Sequence, residues 1–294
     1  MAREPRQVIG VDIGGTGLKL GRFGADGTLL AELQQATPQP ATPGAVTTAV
    51  VEAIAQLDPA SEADAVGIGL PGPMDRAGRI AQVCINLPGW EQVPLADWLE
   101  PRLQRPVTLE NDGNCAVLGE QWLGAAQGIN DVVLLTLGTG VGGGVILDGA
   151  LFLGRCGAAA EPGLIGLDPA GPACNSGNNG SIESFCSITA LRRWSGQEPE
   201  QLSAQAVWRR YGQLLGCGIS SLVYAFTPER VLLGGGLSAA FAHFAEPLRQ
   251  EVQRRVLAPS RADLSIEAAA LGNGAGRLGA ARLALQRLPS AGQG

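Results

Sequence analysis

Two stretches of the chain repeat one pattern. Val8-Ile-Gly-Val-Asp-Ile13 runs into Gly14-Gly-Thr-Gly17, an apolar alternation over residues 18–23 and an Ala25-Asp-Gly27 turn. Val132-Val-Leu-Leu-Thr-Leu137 runs into Gly138-Thr-Gly-Val-Gly-Gly-Gly144, then Val145-Ile-Leu147 and an Asp148-Gly149 turn. Each copy reads as strand, Gly/Thr hairpin, strand, Asp-Gly turn and third strand, the third strands covering 29–33 and 150–153. The copies begin about 125 residues apart, far beyond solenoid periods and close to the size of a domain. A chain of 294 residues has room for two such halves and a buried core in each.

Beyond each hairpin the chain alternates between helix and strand. Residues 43–57 carry apolar side chains at helical spacing, 64–70 and 106–110 read as buried strands, and 114–123 as a helix. In the second half, 201–227 is a long helical pattern ending before Pro228, and 230–233 is a short strand opening into Gly234-Gly-Gly-Leu-Ser238. Helix 239–256, a last strand at 265–269 and a terminal helix over 276–286 with a small-residue face complete the pattern. The expected class is α/β with two domains.

Composition narrows the function. The 43 glycines are roughly twice the usual ~7 % share and fall in short runs between apolar segments, as tight turns require. A formal charge of −6 without basic runs gives no footprint for nucleic acid. No apolar stretch approaches the ~18 residues of a membrane span, and the N-terminal residues lack a signal-peptide core. The six cysteines form no CxxC and read as reduced thiols, so a cytoplasmic protein is expected.

Glycine admits close backbone approach and unhindered N–H groups, and threonine adds a hydroxyl donor. Gly14, Gly15 and Thr16 in one hairpin, and Gly138, Thr139 and Gly140 in the other, are thus candidates for gripping a polyphosphate. Asp12 is placed to hold Mg²⁺ through water, with Lys19 adding positive charge nearby. Gly234, Gly235 and Gly236, between a strand and a helix, suit the approach of a nucleoside. Each signal alone is weak and also reads as a plain hairpin or packing turn. Gly138-Thr-Gly-Val-Gly-Gly143 also satisfies the dinucleotide fingerprint, but that motif needs a helix to begin at the turn and here a strand comes next. No Walker A loop is present.

Glu110-Asn111-Asp112 sits where a strand becomes a helix. Two readings of Asp112 stand side by side: a helix N-cap, or a general base kept ionised by the helix N-terminus, with Asn111 orienting the same substrate. Asn86 and Glu161 are polar groups in apolar or glycine surroundings. Acceptor-rich side chains of this kind suit a polyhydroxyl ligand such as a sugar.

Taken together, Asp12-Ile-Gly-Gly-Thr16, Gly69-Leu-Pro-Gly-Pro73, Asn86-Leu-Pro-Gly-Trp90, Glu110-Asn-Asp-Gly-Asn114, Leu137-Gly-Thr-Gly-Val-Gly-Gly-Gly144, Glu161-Pro-Gly163, Leu233-Gly-Gly-Gly236 and Leu271-Gly-Asn-Gly-Ala-Gly276 resemble the ROK family of sugar kinases and repressors. The family lies within the sugar kinase, Hsp70 and actin superfamily. The resemblance implies two RNase H-like lobes around a cleft, the first formed by 1–113 plus a returning 273–294 and the second by 114–272. It implies ATP and Mg²⁺, Asp112 as the base, and Asn86, Asn111, Glu161 and Glu183 on sugar hydroxyls. It is strongest to the family's bacterial glucokinases, hence glucose to glucose 6-phosphate, in a homodimer. Fructose, mannose or an N-acetylhexosamine as acceptor, polyphosphate as donor, and a catalytically silent sugar sensor are the alternatives. The family's repressors carry a helix-turn-helix ahead of the core, whereas the first core strand here begins by Val8.

Two departures from the family matter. Where many relatives read Cys-x-Cys-Gly-x-x-Gly-Cys-x-Glu and add a histidine to hold zinc, this chain has Cys174-Asn-Ser-Gly-Asn-Asn-Gly-Ser-Ile-Glu183 and Leu164; its one histidine, His243, is elsewhere. One thiolate cannot supply the four ligands of structural zinc. No zinc is expected, and the loop should instead close through turns at Gly177 and Gly180 and Asn/Ser hydrogen bonds. Leu164 also removes a polar contact to the sugar, which leaves the hexose open.

Overall fold

A computed structural model of the protein describes residues 6–85, 87–174 and 176–289. They fall into two compact units. One takes in the chain up to Gly124, Leu153–Ala159 and everything from Asn273 onward; the other takes in Ala125–Phe152 and Ala160–Gly272.

The first unit is built on β1 (Gln7–Ile13), β2 (Gly17–Gly24), β3 (Leu29–Ala36), β4 (Ala65–Leu70) and β7 (Val107–Asn111), in the order β3-β2-β1-β4-β7. β3, β2 and β1 run antiparallel; β1, β4 and β7 run parallel. A strand buried on both faces should be apolar throughout, and Val8, Ile9, Val11 and Ile13 have no exposure. Ile9, Val11 and Ile13 join the core under α1 (Pro43–Leu57). Thr42 caps that helix, and Val46, Val50, Ala53, Ile54 and Leu57 recur on its buried face. A short ribbon of β5 (Ala81–Val83) and β6 (Glu91–Val93) and helix α2 (Leu95–Leu103) precede β7.

The opposite sheet face carries α8 (Ala275–Arg287), with α3 (Asp112–Leu123) packed on it. Here glycine sets the distance: a Cβ on Gly67 would overlap the Ala280 carbonyl, and one on Gly279 the Cys115 carbonyl. Backbone therefore meets backbone, strand to helix and helix to helix. This contact explains a difference from the expected boundary at residue 113, since α3 is tied to the first unit through α8 and the unit runs on to Gly124.

The second unit repeats the topology. β8 (Val132–Leu137), β9 (Val141–Leu147), β10 (Ala150–Leu151), β11 (Arg230–Gly234) and β12 (Ser265–Ala268) lie in the order β10-β9-β8-β11-β12, antiparallel on one side of β8 and parallel on the other. The repeated sequence pattern is thus a repeated sheet. Val133, Leu135, Leu137, Val231 and Leu233 share one core with the buried residues of α6 (Gln205–Phe226) and α7 (Phe241–Arg255). α4 (Ile182–Cys186) and α5 (Ile188–Ser195) come after the loop at 174–181. Among the described residues, no helix is long and apolar enough to cross a membrane.

Candidate active site

In the first unit the candidate residues gather at the carboxyl ends of parallel strands. Register places Asp12 of β1 beside Gly69 of β4, and Gly69 beside Glu110 of β7, so the strand ends deliver Asp12, Asn111 and Asp112 to one edge. That edge is where open α/β sheets bind ligands. Lys19, across the hairpin in β2, has Nζ 3.7 Å from Asp12 Oδ2. Gly276, in the first turn of α8, lies so close to Asp12 that a Cβ there would sit 3.1 Å from the Asp12 Cγ.

The helix after β7 removes one of the two readings of Asp112, that of N-cap. Asn111 is the N-cap: its Oδ1 accepts from the amides of Gly113 at 2.8 Å and Asn114 at 3.2 Å. Asp112 occupies the first helical position instead, half-buried, with Oδ1 2.8 Å from the Gly113 amide. The Asn111 Nδ2 donates to the Gly72 carbonyl at 3.2 Å, which leaves one N–H for a substrate. Behind them buried Glu110 accepts from the Asn111 amide at 2.9 Å and from Asn114 Nδ2 at 3.0 Å.

Electrostatics departs from the sequence expectation. Desolvation raises the Asp112 carboxyl above its ordinary value, and the Gly113 amide opposes that rise only in part. Burial also pushes Asp12 up to about 6, against the pull of Lys19 and with help from the Asp112 charge. The Cys84 thiol, pushed up to about 12 by burial and by Asp112, stays neutral. Two half-buried carboxylates that repel each other, with one lysine beside them, suit a divalent cation. Among the described residues no group of three or more metal-ligating side chains occurs. Asp12 and Asp112 could hold such an ion only if it kept much of its own water shell, as Mg²⁺ does.

The carbonyls of the first Gly/Thr hairpin are held by the segment that follows β3. Gly14 O accepts from Thr37 Oγ1 at 2.6 Å, Gly15 O from Gln39 Nε2 at 3.0 Å, and Thr16 O from the Thr37 amide at 3.2 Å. Gly15 has neither a left-handed φ nor any neighbour that a Cβ would meet within 4 Å, so the fold does not demand glycine there.

In the second unit the candidates converge on Val141. Its amide donates to Glu183 Oε2 at 2.9 Å, and a Cβ on Gly140 would overlap that same oxygen. Glu161 precedes a single 3₁₀ turn at Pro162–Leu164, which packs on β9 so tightly that a Cβ on Gly163 would overlap the Val141 carbonyl. The Gly138–Gly140 turn is tied to α5, Gly138 O accepting from the Ile188 amide at 2.8 Å and Thr139 O from Thr189 Oγ1 at 2.9 Å. Gly235, at φ +78°, lies against the Leu137 backbone, which brings Gly234–Gly236 beside the same turn. Each unit thus assembles its own candidates. Asn86 lies outside the described residues.

The loop before Glu183 closes on itself through turns at Gly177, φ +82°, and Gly180, φ +59°. The Cys174 amide donates to Asn178 O at 2.8 Å, and Asn178 Nδ2 to Leu164 O at 3.0 Å. Buried Ser181 caps α4, accepting from the Ser184 amide at 3.2 Å. Cys174 Sγ lies 3.1 Å from Ser176 Oγ and 3.6 Å from Glu183 Oε1, so the thiol faces the carboxylate. Gly72, Thr37, Gln39 and Thr189 carried no sequence signal for these contacts; Gly72 stood only within the Gly69–Pro73 motif.

Comparison with known proteins places this architecture. Residues 8–287 match the model of the ROK family. The chain is 34 % identical to a glucokinase of Thermotoga maritima, over 96 % of this chain and 98 % of that one. A crystal structure of a ROK family glucokinase from Streptomyces griseus, in complex with glucose and AMPPNP, superposes with a TM-score of 0.83 at 34 % identity, covering 95 % of this chain and 99 % of that one. A ROK hexokinase from Thermus thermophilus gives 0.82 at 33 %, covering 95 % and 98 %. These matches extend over nearly the whole chain, and the protein belongs to the ROK family, with the actin-like ATPase fold of that family's sugar kinases.

Proposed function

We propose that this chain, a sugar kinase of the ROK family, transfers the γ-phosphoryl group of ATP to the 6-hydroxyl of glucose. The observation that carries the proposal is Asp112. Its carboxylate stands at the end of β7, released from helix capping by Asn111 and electrostatically coupled to Asp12. Phosphoryl transfer asks little covalent chemistry of the protein beyond alignment, charge neutralisation and an acceptor for the hydroxyl proton. Asp112 accepts that proton as the hydroxyl oxygen attacks, and the free N–H of Asn111 orients the sugar. Asp12, with Lys19 beside it, would hold Mg²⁺ through water. The ion would neutralise charge on the phosphates.

In the second unit Glu161 and Glu183 accept hydrogen bonds from sugar hydroxyls. Gly138, Thr139 and Gly140 cradle phosphate, as do Gly14, Gly15 and Thr16 in the first unit, and Gly234–Gly236 face the nucleoside. The six cysteines are all unpaired, which suits the reducing cytoplasm, and a homodimer is the assembly to test by sedimentation.

Leu164 favours keeping a second acceptor in view, since a leucine offers no hydrogen bond to the sugar. The experiment is a panel of glucose, fructose, mannose and N-acetylhexosamines crossed with ATP and polyphosphate, measuring sugar phosphate directly. Glucose with ATP is expected to lead. No product from any pair would leave the silent sensor as the reading, and a faster reaction with polyphosphate would reassign the donor.

A further inference from the structure

Both Gly/Thr hairpins have their carbonyl oxygens held from behind. In the first, Thr37 Oγ1 binds Gly14 O at 2.6 Å and Gln39 Nε2 binds Gly15 O at 3.0 Å. In the second, Thr189 Oγ1 binds Thr139 O at 2.9 Å. All these hairpin peptides are trans, and a trans peptide points its N–H away from its C=O. Fixing the Gly14 and Gly15 carbonyls therefore fixes the outward direction of the Gly15 and Thr16 amides. Fixing Thr139 O does the same for the Gly140 amide. Each of these peptides has a glycine on at least one side, which widens the orientations open to an untethered plane, so a bond to the carbonyl narrows them. Thr37 is 3 % exposed, whereas Gln39 and Thr189 are exposed.

We infer that Thr37, Gln39 and Thr189 are positioning residues that preorganise the two amide cradles for a polyphosphate chain. None touches the phosphates; each acts through a carbonyl on the amide of the next residue. The inference rests on the hairpins' role as phosphate cradles. The same device occurs on two elements remote in sequence: the segment after β3 in one unit and the start of α5 in the other. A requirement of the hairpin explains that recurrence better than an accident of packing does.

The test measures AMPPNP and inorganic tripolyphosphate binding by calorimetry, with KM for ATP and for the hexose, in Thr37→Val, Gln39→Leu and Thr189→Val. Losing one such anchor is expected to weaken AMPPNP about five- to tenfold, the worth of one hydrogen bond. KM for ATP should rise in step while KM for the hexose stays within about twofold, and Thr37→Ser and Thr189→Ser should restore binding. Weakening of tripolyphosphate to the same degree assigns the effect to the phosphate chain; weakening of AMPPNP alone would move it to the nucleoside and overturn the inference. So would wild-type affinity in all three variants. If Thr37→Val does not fold, the exposed Gln39 and Thr189 decide the matter. A wild-type protein that binds neither probe would defeat the nucleotide reading itself, a result distinct from variants that bind as wild type does.

Discussion

Asn111 holds the turn from which Asp112 projects. By accepting the Gly113 and Asn114 amides, it takes up the capping duty that an aspartate at this junction would otherwise perform. Its own Nδ2 is anchored on Gly72 O, so the cap is fixed relative to the end of β4. The carboxylate next to it gives only Oδ1 to that turn, at the Gly113 amide.

That separation of roles yields the first prediction. Asp112→Asn should lower kcat by about 10²–10⁴, the usual contribution of a positioned base, and leave hexose binding within a few fold. Asn111→Ala should lower stability by about 1 kcal/mol through the lost cap and also raise the hexose KM through the lost N–H. Near-normal turnover in Asp112→Asn would remove Asp112 from the proton transfer.

The second concerns pH. A base raised by burial must lose its proton before it can work, so the acid limb of kcat/KM should lie above the ordinary carboxylate range. Activity should therefore fall on acidification sooner than for a solvent-exposed aspartate. A rate profile that stays flat down to the pH of a free aspartate would contradict a desolvated base.

The third turns on Asp12, whose carboxyl is pushed up to about 6. The folded state then binds the proton more tightly than the unfolded chain, so stability is greatest below the unfolded value near ~3.9 and declines as pH rises to about 6. The full shift corresponds to roughly 2–3 kcal/mol, and the 20 % residual exposure of the side chain argues for about half. Asp12→Asn should thus raise the melting temperature at pH 7.5, leave it unchanged near pH 4, and reduce activity. Equal effects at both pH values would show that burial is not what strains this carboxylate.

The double architecture was legible because hairpin, glycine turn and Asp-Gly turn are local signals, and each was written twice. β1 and β4 were legible for the same reason, being short apolar runs bounded by turn residues. The β5–β6 ribbon and α2 were not: the ribbon strands have three residues each, and Pro101 inside α2 argues against a helix in any local reading. The capping of α3 could not be read either, since Asn and Asp are equally good caps and only the backbone shows which one stands outside the helix. Likewise nothing in the sequence ties Thr37 to Gly14 or Cys174 to Glu183, because those contacts depend on how turns fold back. Lone polar residues mark candidate positions in the sequence; the partners behind them are set by how the chain folds back.

The last prediction concerns the loop at 174–183. Zinc sites of this shape are held by thiolates, but here Ser181 spends its hydroxyl on the Ser184 amide inside the protein, and Cys174 Sγ faces Ser176 and Glu183. Hydrogen bonds from Asn178 to Leu164 O and from the Cys174 amide to Asn178 O supply the closure that a metal would otherwise provide. Elemental analysis should find far less than one zinc per chain, and a chelator should leave both the melting temperature and the hexose KM unchanged. Ser181→Ala should destabilise by about 1 kcal/mol through the lost cap, roughly 2–4 °C for a domain of this size. It should also raise the hexose KM, because α4 carries Glu183. Stoichiometric zinc whose removal melts the protein would overturn this account, since the hydrogen bonds would then be an accompaniment to the metal and not its replacement.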